Sequence, residues 1–259
     1  MIKFLSLFFV LHTSVLYSQS LSGYQTSNAH SHNDYAHADP FWGAYQQEFG
    51  SIEADVILKE GILYVAHDEK DINLNQTLDV VYLTPLKKIL QKNGGKVYPN
   101  KVDGLQLLID LKTPAEPTLK VLINELKTME DYLHPKGNVT IVVSGNTPDP
   151  NTFILFPAFI YFDGRPEINY SKYQLTRIAL ISQDFKKYSR WNGEGEMLKK
   201  DHRRLEKIVK QTHLQGKKIR FWATPDNINT WKKLMMLQVD YLNTDQTTQM
   251  GDYLRNAPK

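Results

Sequence analysis

Short apolar, β-rich runs alternate along the chain with longer segments in which apolar residues recur at helical spacing. The runs fall at 51–58, 62–68, 105–112, 138–145, 158–164, 178–185, 218–224 and 239–245, and a further strand ends near 28–30. Between them the helical period predicts helices over 41–49, 83–92, 117–132, 199–213 and 228–237. Pro117 suits a first turn, and Asp226 or Asn227 suits an N-cap. Alternating strands and helices argue for a parallel α/β fold, and continuous apolar strands such as "TIVV" fit parallel strands buried on both faces. The gap between 58 and 62 is too short for a crossover helix, so those two runs are expected to form a bent strand pair. With no linker and no repeat, the economical reading is one domain over 24–259, a single (β/α)8 TIM-type barrel. A Rossmann-like sheet would need a glycine-rich turn after its first strand, and "NAHSHNDY" holds no glycine.

The polar residues support the barrel. They stand at the C-terminal ends of nearly every run: His30, Asp55, His67 and Asp68, Asp110 and Lys112, Ser144, Asp163, Asp184, Trp222, and Asn243 with Asp245. In a (β/α)8 barrel those ends converge on one face, where active sites sit.

At the N-terminus, one lysine precedes an apolar run from Phe4 to about Leu16, and small polar residues follow. This is the layout of a secretory signal peptide, read here as 1–18, with a membrane anchor as the alternative. It predicts an exported protein, periplasmic or extracellular. Cysteine is absent, which excludes thiolate metal sites, cysteine nucleophiles and disulfide staples, so the fold must rest on its core. The formal charge of +3 gives no reason to expect a nucleic-acid partner, and the basic segment "LKKDHRRLEKIVK" reads as a solvated helix face over an apolar stripe at Leu205, Ile208 and Val209. Four tryptophans and 14 tyrosines leave room for peripheral membrane contact but equally serve a core. Oligomeric state is left open.

Glu53 and Asp55 are two apart on one strand, so their side chains share a face. Two carboxylates that close repel unless a cation or a proton lies between them, which points to a hard, oxygen-liganded divalent cation, Mg²⁺ or Ca²⁺. Acidic pairs at strand ends also cap helices or pair with lysine, but Asp110, ending another apolar strand, would complete a three-carboxylate site. Lys112, on the same side of its strand as Asp110, is either a phosphate anchor or an ordinary salt bridge. His67 alone would be structural more often than not. With a histidine from the first strand, His30 or His32, it becomes half of an acid/base pair. His37 is expected in a solvated loop, and Asp34 either orients a histidine or caps a turn.

The succession of a histidine, "SIEADVIL", "GILYVAHD", "LLIDLKT", "FWATPDN" and "YLNTDQ" resembles the phospholipase C-like phosphodiesterase barrels, notably the glycerophosphodiester phosphodiesterases and the sphingomyelinase D-type enzymes. The opening "AHSHNDY" is similar to the branch grouped with altered inheritance of mitochondria protein 6. The resemblance implies metal binding by Glu53, Asp55 and Asp110, catalysis by His67 with His30 or His32, Lys112 near the phosphate, and Trp222 lining the pocket. Asn33 stands three residues after His30, as in the sphingomyelinase D-type pattern. The arginine that follows the first histidine in glycerophosphodiesterases is missing, and Arg165 could replace it or sit in a surface loop. The stretch from His67 to Asp110 is too short for the small insertion domain of those enzymes. The loop 189–197, with two glycines and an exposed-looking tryptophan, reads as a lid, a lipid-touching segment or a flexible connection.

The sequence therefore predicts an exported, metal-dependent hydrolase of a phosphoric diester, with a small-molecule or lipid substrate of the glycerophosphodiester or phospholipid headgroup type. The alternatives are a catalytically silent barrel that binds phosphorylated ligands or glycans, and a metal hydrolase acting on something other than phosphate.

Overall fold

The computed structural model describes residues 23–101 and 104–256, so the leader read at 1–18 lies outside the described residues. Eight strands run parallel: β1 (Ala29–Ser31), β2 (Ser51–Lys59), β4 (Leu105–Leu111), β5 (Val139–Gly145), β6 (Ile160–Gly164), β7 (Ile178–Asp184), β8 (Lys218–Trp222) and β9 (Leu242–Thr244). Their order is β8-β7-β6-β5-β4-β2-β1-β9, and a single parallel bridge, Arg220 to Tyr241, brings the two ends of the sheet together. The result is a nearly closed barrel. The run at 62–68 becomes β3 (Ile62–Val65), an antiparallel hairpin partner of β2, as the short gap requires.

Helices α1 (Trp42–Gln46), α2 (Thr84–Lys92), α3 (Ala115–Leu126), α4 (Lys172–Thr176), α5 (Lys199–Leu214), α6 (Ile228–Met236) and α7 (Thr247–Asn256) cover the outside. The helix expected over 117–132 stops at Leu126 and continues as a 3₁₀ segment with Met129 out of helical geometry. Between β5 and β6 the crossover is only a 3₁₀ segment, Pro150–Leu155, with Pro150 in its first turn and Pro157 two residues past its end. The connection from β3 to β4 holds α2 and short turns, with no insertion domain among the described residues. No described helix is long and apolar enough to cross a membrane.

Strand alternation sorts the side chains. Outward residues such as Ile52, Ala54 and Val56 on β2, or Leu107, Ile109 and Leu111 on β4, join the core beneath the helices. Inward, Leu108, Val142, Leu180 and Tyr241 make a small apolar cluster. Much of the remaining interior is polar: His30, Ser51, Glu53, Arg220 and Asn243 are all buried. A barrel interior is ordinarily filled by branched apolar residues, so this polar part is a costly arrangement that has to be fully paired.

Candidate active site

Strand register builds the site. Asp55 on β2 pairs with Asp110 on β4, which pairs with Ser144 on β5, so three polar side chains stand in one row at the C-terminal mouth. That mouth holds a cavity of about 330 Å³ walled by Glu53, Asp110 and Lys112, by His32, Asn33 and His67, and by Arg165 and Trp222. A larger cavity of about 500 Å³ opens at the opposite end of the barrel, and no carboxylate of the described residues lines it.

Glu53, Asp55 and Asp110 can each turn an oxygen to within 4.8 Å of the others. Lys112 Nζ lies 2.9 Å from Asp55 Oδ2 and 2.9 Å from Asp110 Oδ1. Ser144 Oγ donates to Asp110 Oδ2 at 2.6 Å, and Tyr35 donates to Asp55 Oδ2 at 2.8 Å. Asp55 Oδ1 is buried with no hydrogen-bond partner. Three hard oxygen donors and one unsatisfied buried carboxylate oxygen fit a divalent cation such as Mg²⁺ or Ca²⁺. Burial and then the Glu53 charge raise the Asp55 pKa, against Lys112 and His67. Burial would lower that of Lys112, but Asp110 and Asp55 hold it above the ordinary lysine value.

The two candidate histidines of the first strand occupy different places. His32 lines the cavity, with Nδ1 2.8 Å from Asp245 Oδ1. Burial opposes its charge, yet the Asp245 hydrogen bond and the Glu53 and Asp245 charges outweigh burial and raise its pKa. His67 is well exposed, and its Nδ1 lies 2.8 Å from Asp55 Oδ2. Each ring is thus anchored through Nδ1 by a carboxylate, which leaves Nε2 for proton exchange. His30 is fully buried behind the wall, with Nδ1 2.7 Å from Ser51 Oγ and Nε2 2.7 Å from Glu53 Oε2. Burial, reinforced by Arg220 and resisted by Glu53, lowers its pKa to about 3.

Two features depart from the expectation. His37 is not a solvated loop histidine: both ring nitrogens are buried without a partner, with Nδ1 3.9 Å from Asp34 Oδ1. Asp34 braces the β1–α1 turn, accepting from Ser31 Oγ at 2.7 Å, Phe41 N at 2.6 Å and the Tyr82 hydroxyl at 2.9 Å. The loop 189–197 is tied down rather than free: Trp191 packs on the core, its Nε1 donates to Glu194 O at 2.7 Å, and Asn229 Nδ2 donates to the carbonyls of Gly193 (2.8 Å) and Gly195 (3.0 Å).

Arg165 Nη1 bonds Asp163 Oδ2 at 2.6 Å and Ser182 Oγ at 3.1 Å, at the cavity wall. Sequence reasoning gave no role to Arg220, yet it reaches the cavity from β8 and bonds Glu53 Oε2 at 2.6 Å, with His30 Nε2 against the same nitrogen. Burial opposes ionisation of Glu53, but Arg220 and then His30 hold its pKa well below the usual carboxylate range. The available signal was alternation, which puts Arg220 on the same strand face as Trp222. Asp245 is held by Asp226, whose Oδ2 accepts from Asp245 N at 2.8 Å and from Thr244 Oγ1 at 3.0 Å. Asn227, not Asp226, caps α6, through Thr230 N at 2.9 Å.

A parallel barrel with an acidic triad at its C-terminal mouth, ringed by lysine, arginine and histidine, has the build of the phospholipase C-like phosphodiesterase superfamily. Residues 19–154 match the AIM6-like phosphodiesterase domain, and residues 218–248 match the glycerophosphoryl diester phosphodiesterase family. The chain belongs to the family defined by the AIM6-like phosphodiesterase domain. It is 26% identical over 266 residues to the altered inheritance of mitochondria protein 6 homolog of Arthroderma benhamiae, covering 86% of this chain and 82% of that protein. Its identity to the altered inheritance of mitochondria protein 6 of Eremothecium gossypii is 24% over 272 residues (88% and 69% covered), and to that of Kluyveromyces lactis 33% over 165 residues (47% and 38%). Among solved structures, a phosphodiesterase of Oleispira antarctica in complex with sn-glycerol-3-phosphate aligns over 82% of this chain and 88% of its own, with a TM-score of 0.49 and 14% identity.

Proposed function

We propose that the protein is a divalent-metal-dependent phosphoric diester hydrolase in which His32 and His67 perform the acid/base chemistry. The observation that carries this reading is the pair of imidazoles anchored through Nδ1, His32 on Asp245 and His67 on Asp55, beside one acidic triad in one cavity. Glu53, Asp55 and Asp110 would hold the cation, which when bound supplies a Lewis acid at the phosphoryl oxygen. Lys112, Arg165 and Arg220 supply fixed positive charge around the same space, where a phosphodiester anion meets it without reorganisation. The attacking oxygen, of water or of a neighbouring substrate hydroxyl, gives its proton to one imidazole while the other protonates the departing alkoxide.

A volume of about 330 Å³ is at the small end of ligand pockets. It suits a phosphodiester and a compact headgroup such as glycerol, so any acyl chain would remain outside the mouth. The leader-like N-terminus fits an enzyme that meets its substrate after export.

The test is turnover of a phosphodiester panel by His32→Ala, His67→Ala and wild type, with Mg²⁺ or Ca²⁺ supplied. Each variant should lose about 10²–10⁴-fold in kcat, the usual contribution of a positioned acid or base. Wild-type turnover by both variants on every diester cleaved would discard the proposal.

A further inference from the structure

A hydrogen-bonded chain runs through the polar part of the barrel interior toward the site. Gln106 Nε2 donates to Ser51 Oγ at 2.7 Å, Ser51 Oγ lies 2.7 Å from His30 Nδ1, and His30 Nε2 lies 2.7 Å from Glu53 Oε2. Ser51 and His30 are fully buried, and Gln106 and Glu53 are each 5% exposed, so the middle of the chain has only protein partners.

The direction of the chain follows from counting hydrogens. A serine hydroxyl has one hydrogen and two acceptor lone pairs. The Gln106 amide fills one lone pair, and among the described residues His30 Nδ1 is the acceptor in reach of the Ser51 hydrogen. Nδ1 therefore accepts, and the ring hydrogen is on Nε2, facing the Glu53 carboxylate. The opposite tautomer would let Nε2 accept from Arg220 Nη1, which can only donate. But it would strand the Ser51 hydrogen and set the Nε2 lone pair against Glu53 Oε2, whereas with Nε2 protonated both N–H groups converge on that oxygen. Arg220 Nη1, which touches that nitrogen and bonds the same Oε2, adds a positive charge that disfavours a second proton on the ring.

We infer that His30 is a positioning residue: a neutral imidazole, protonated on Nε2, that fixes the Glu53 carboxylate for cation binding and leaves proton transfer to His32 and His67. The inference rests on the phosphodiesterase reading only for what the positioned site does. Partners of this kind orient ligating groups, and their loss costs about 10–100-fold in metal affinity. Glutamine is the informative replacement, since its amide can donate toward Glu53 as Nε2 does but cannot act as a general base.

The experiment labels histidine with ¹⁵N in the intact protein and reads the His30 ring nitrogens, alongside Mg²⁺ titration of wild type, Ser51→Ala, His30→Ala and His30→Gln. The expected spectrum is a neutral, Nε2-protonated ring whose signals shift in Ser51→Ala. His30→Ala should bind Mg²⁺ about 10–100-fold more weakly, and His30→Gln should recover most of that loss together with turnover. An imidazolium or an Nδ1-protonated ring in the wild type would overturn the inference, as would Mg²⁺ affinity unchanged in His30→Ala. If the wild type hydrolyses no diester, the phosphodiesterase reading fails, while the ring spectrum and the titration still decide this one.

Discussion

Replacing Arg220 by methionine keeps a long side chain inside the barrel and removes the guanidinium that balances Glu53. Arg220 is 3% exposed and Glu53 5%, with Nη1 2.6 Å from Oε2, so the variant strands a buried carboxylate whose remaining partner is the His30 Nε2–H. Breaking a buried ion pair from one side costs about 3–5 kcal/mol, and the surviving His30 contact places this case near the lower end, about 3 kcal/mol. That is a large part of the roughly 5–15 kcal/mol that holds a domain folded. The assay is urea denaturation at neutral pH in the presence of chelator, so that only the protein's own charges act. Glu53→Gln, which strands Arg220 instead, should cost a similar amount. The double variant should cost about 4 kcal/mol rather than the additive sum of about 6 kcal/mol, a coupling of about 2 kcal/mol in the mutant cycle. Stability of Arg220→Met within about 0.5 kcal/mol of wild type, or strict additivity in the double variant, would refute the view of this pair as a mutually compensating buried unit.

Asp245→Asn removes the carboxylate that anchors His32 Nδ1 at 2.8 Å; kcat should fall about 10²–10⁴-fold with little change in the denaturation midpoint, because Asp245 is more than half exposed. Gly145→Ala should cost about 1–3 kcal/mol of stability and weaken Mg²⁺ binding measured calorimetrically, since the glycine has φ +71° and an added Cβ would meet Asp110 Oδ1 and Leu111 O, each at 2.5 Å. Glu125 on α3 has a buried oxygen without a partner, and burial, then the Asp79 charge, pushes its pKa up to about 7. A carboxyl with a raised folded-state pKa stabilises the fold below its unfolded value and loses that contribution as pH rises through about 7. The melting temperature of Glu125→Gln should therefore gain on wild type between pH 5 and pH 8, and a gap that is constant or shrinks would contradict the assignment.

The barrel was legible because its strands are continuous apolar runs ended by polar residues, and the row Asp55, Asp110 and Ser144 follows from placing those ends side by side. The choice between His30 and His32 was not legible. They share a parity, His30 inside β1 and His32 just past its end, and what separates them is height within the barrel: His30 is level with Ser51 and Asn243, while His32 stands above them at the mouth. Arg220 was hidden for a related reason. A basic residue inside "KIRFWAT" reads as an outward, solvated position unless the polar lining opposite it is already known. The partial burial of His37 and Trp191 depended on contacts that sequence pattern does not carry, Tyr82 bracing Asp34 beside His37 in one case and the core beneath 189–197 in the other.

The most direct test of the account is hydrolysis of bis(p-nitrophenyl) phosphate, glycerophosphocholine, glycerophosphoinositol, lysophosphatidylcholine and sphingomyelin by the purified protein, with Mg²⁺, Ca²⁺ or EDTA and with Glu53→Ala in parallel. The account predicts cleavage of at least one diester that requires the cation and is lost in Glu53→Ala. Cleavage that persists undiminished in EDTA and in Glu53→Ala, or no cleavage of any diester while Mg²⁺ demonstrably binds, would contradict it.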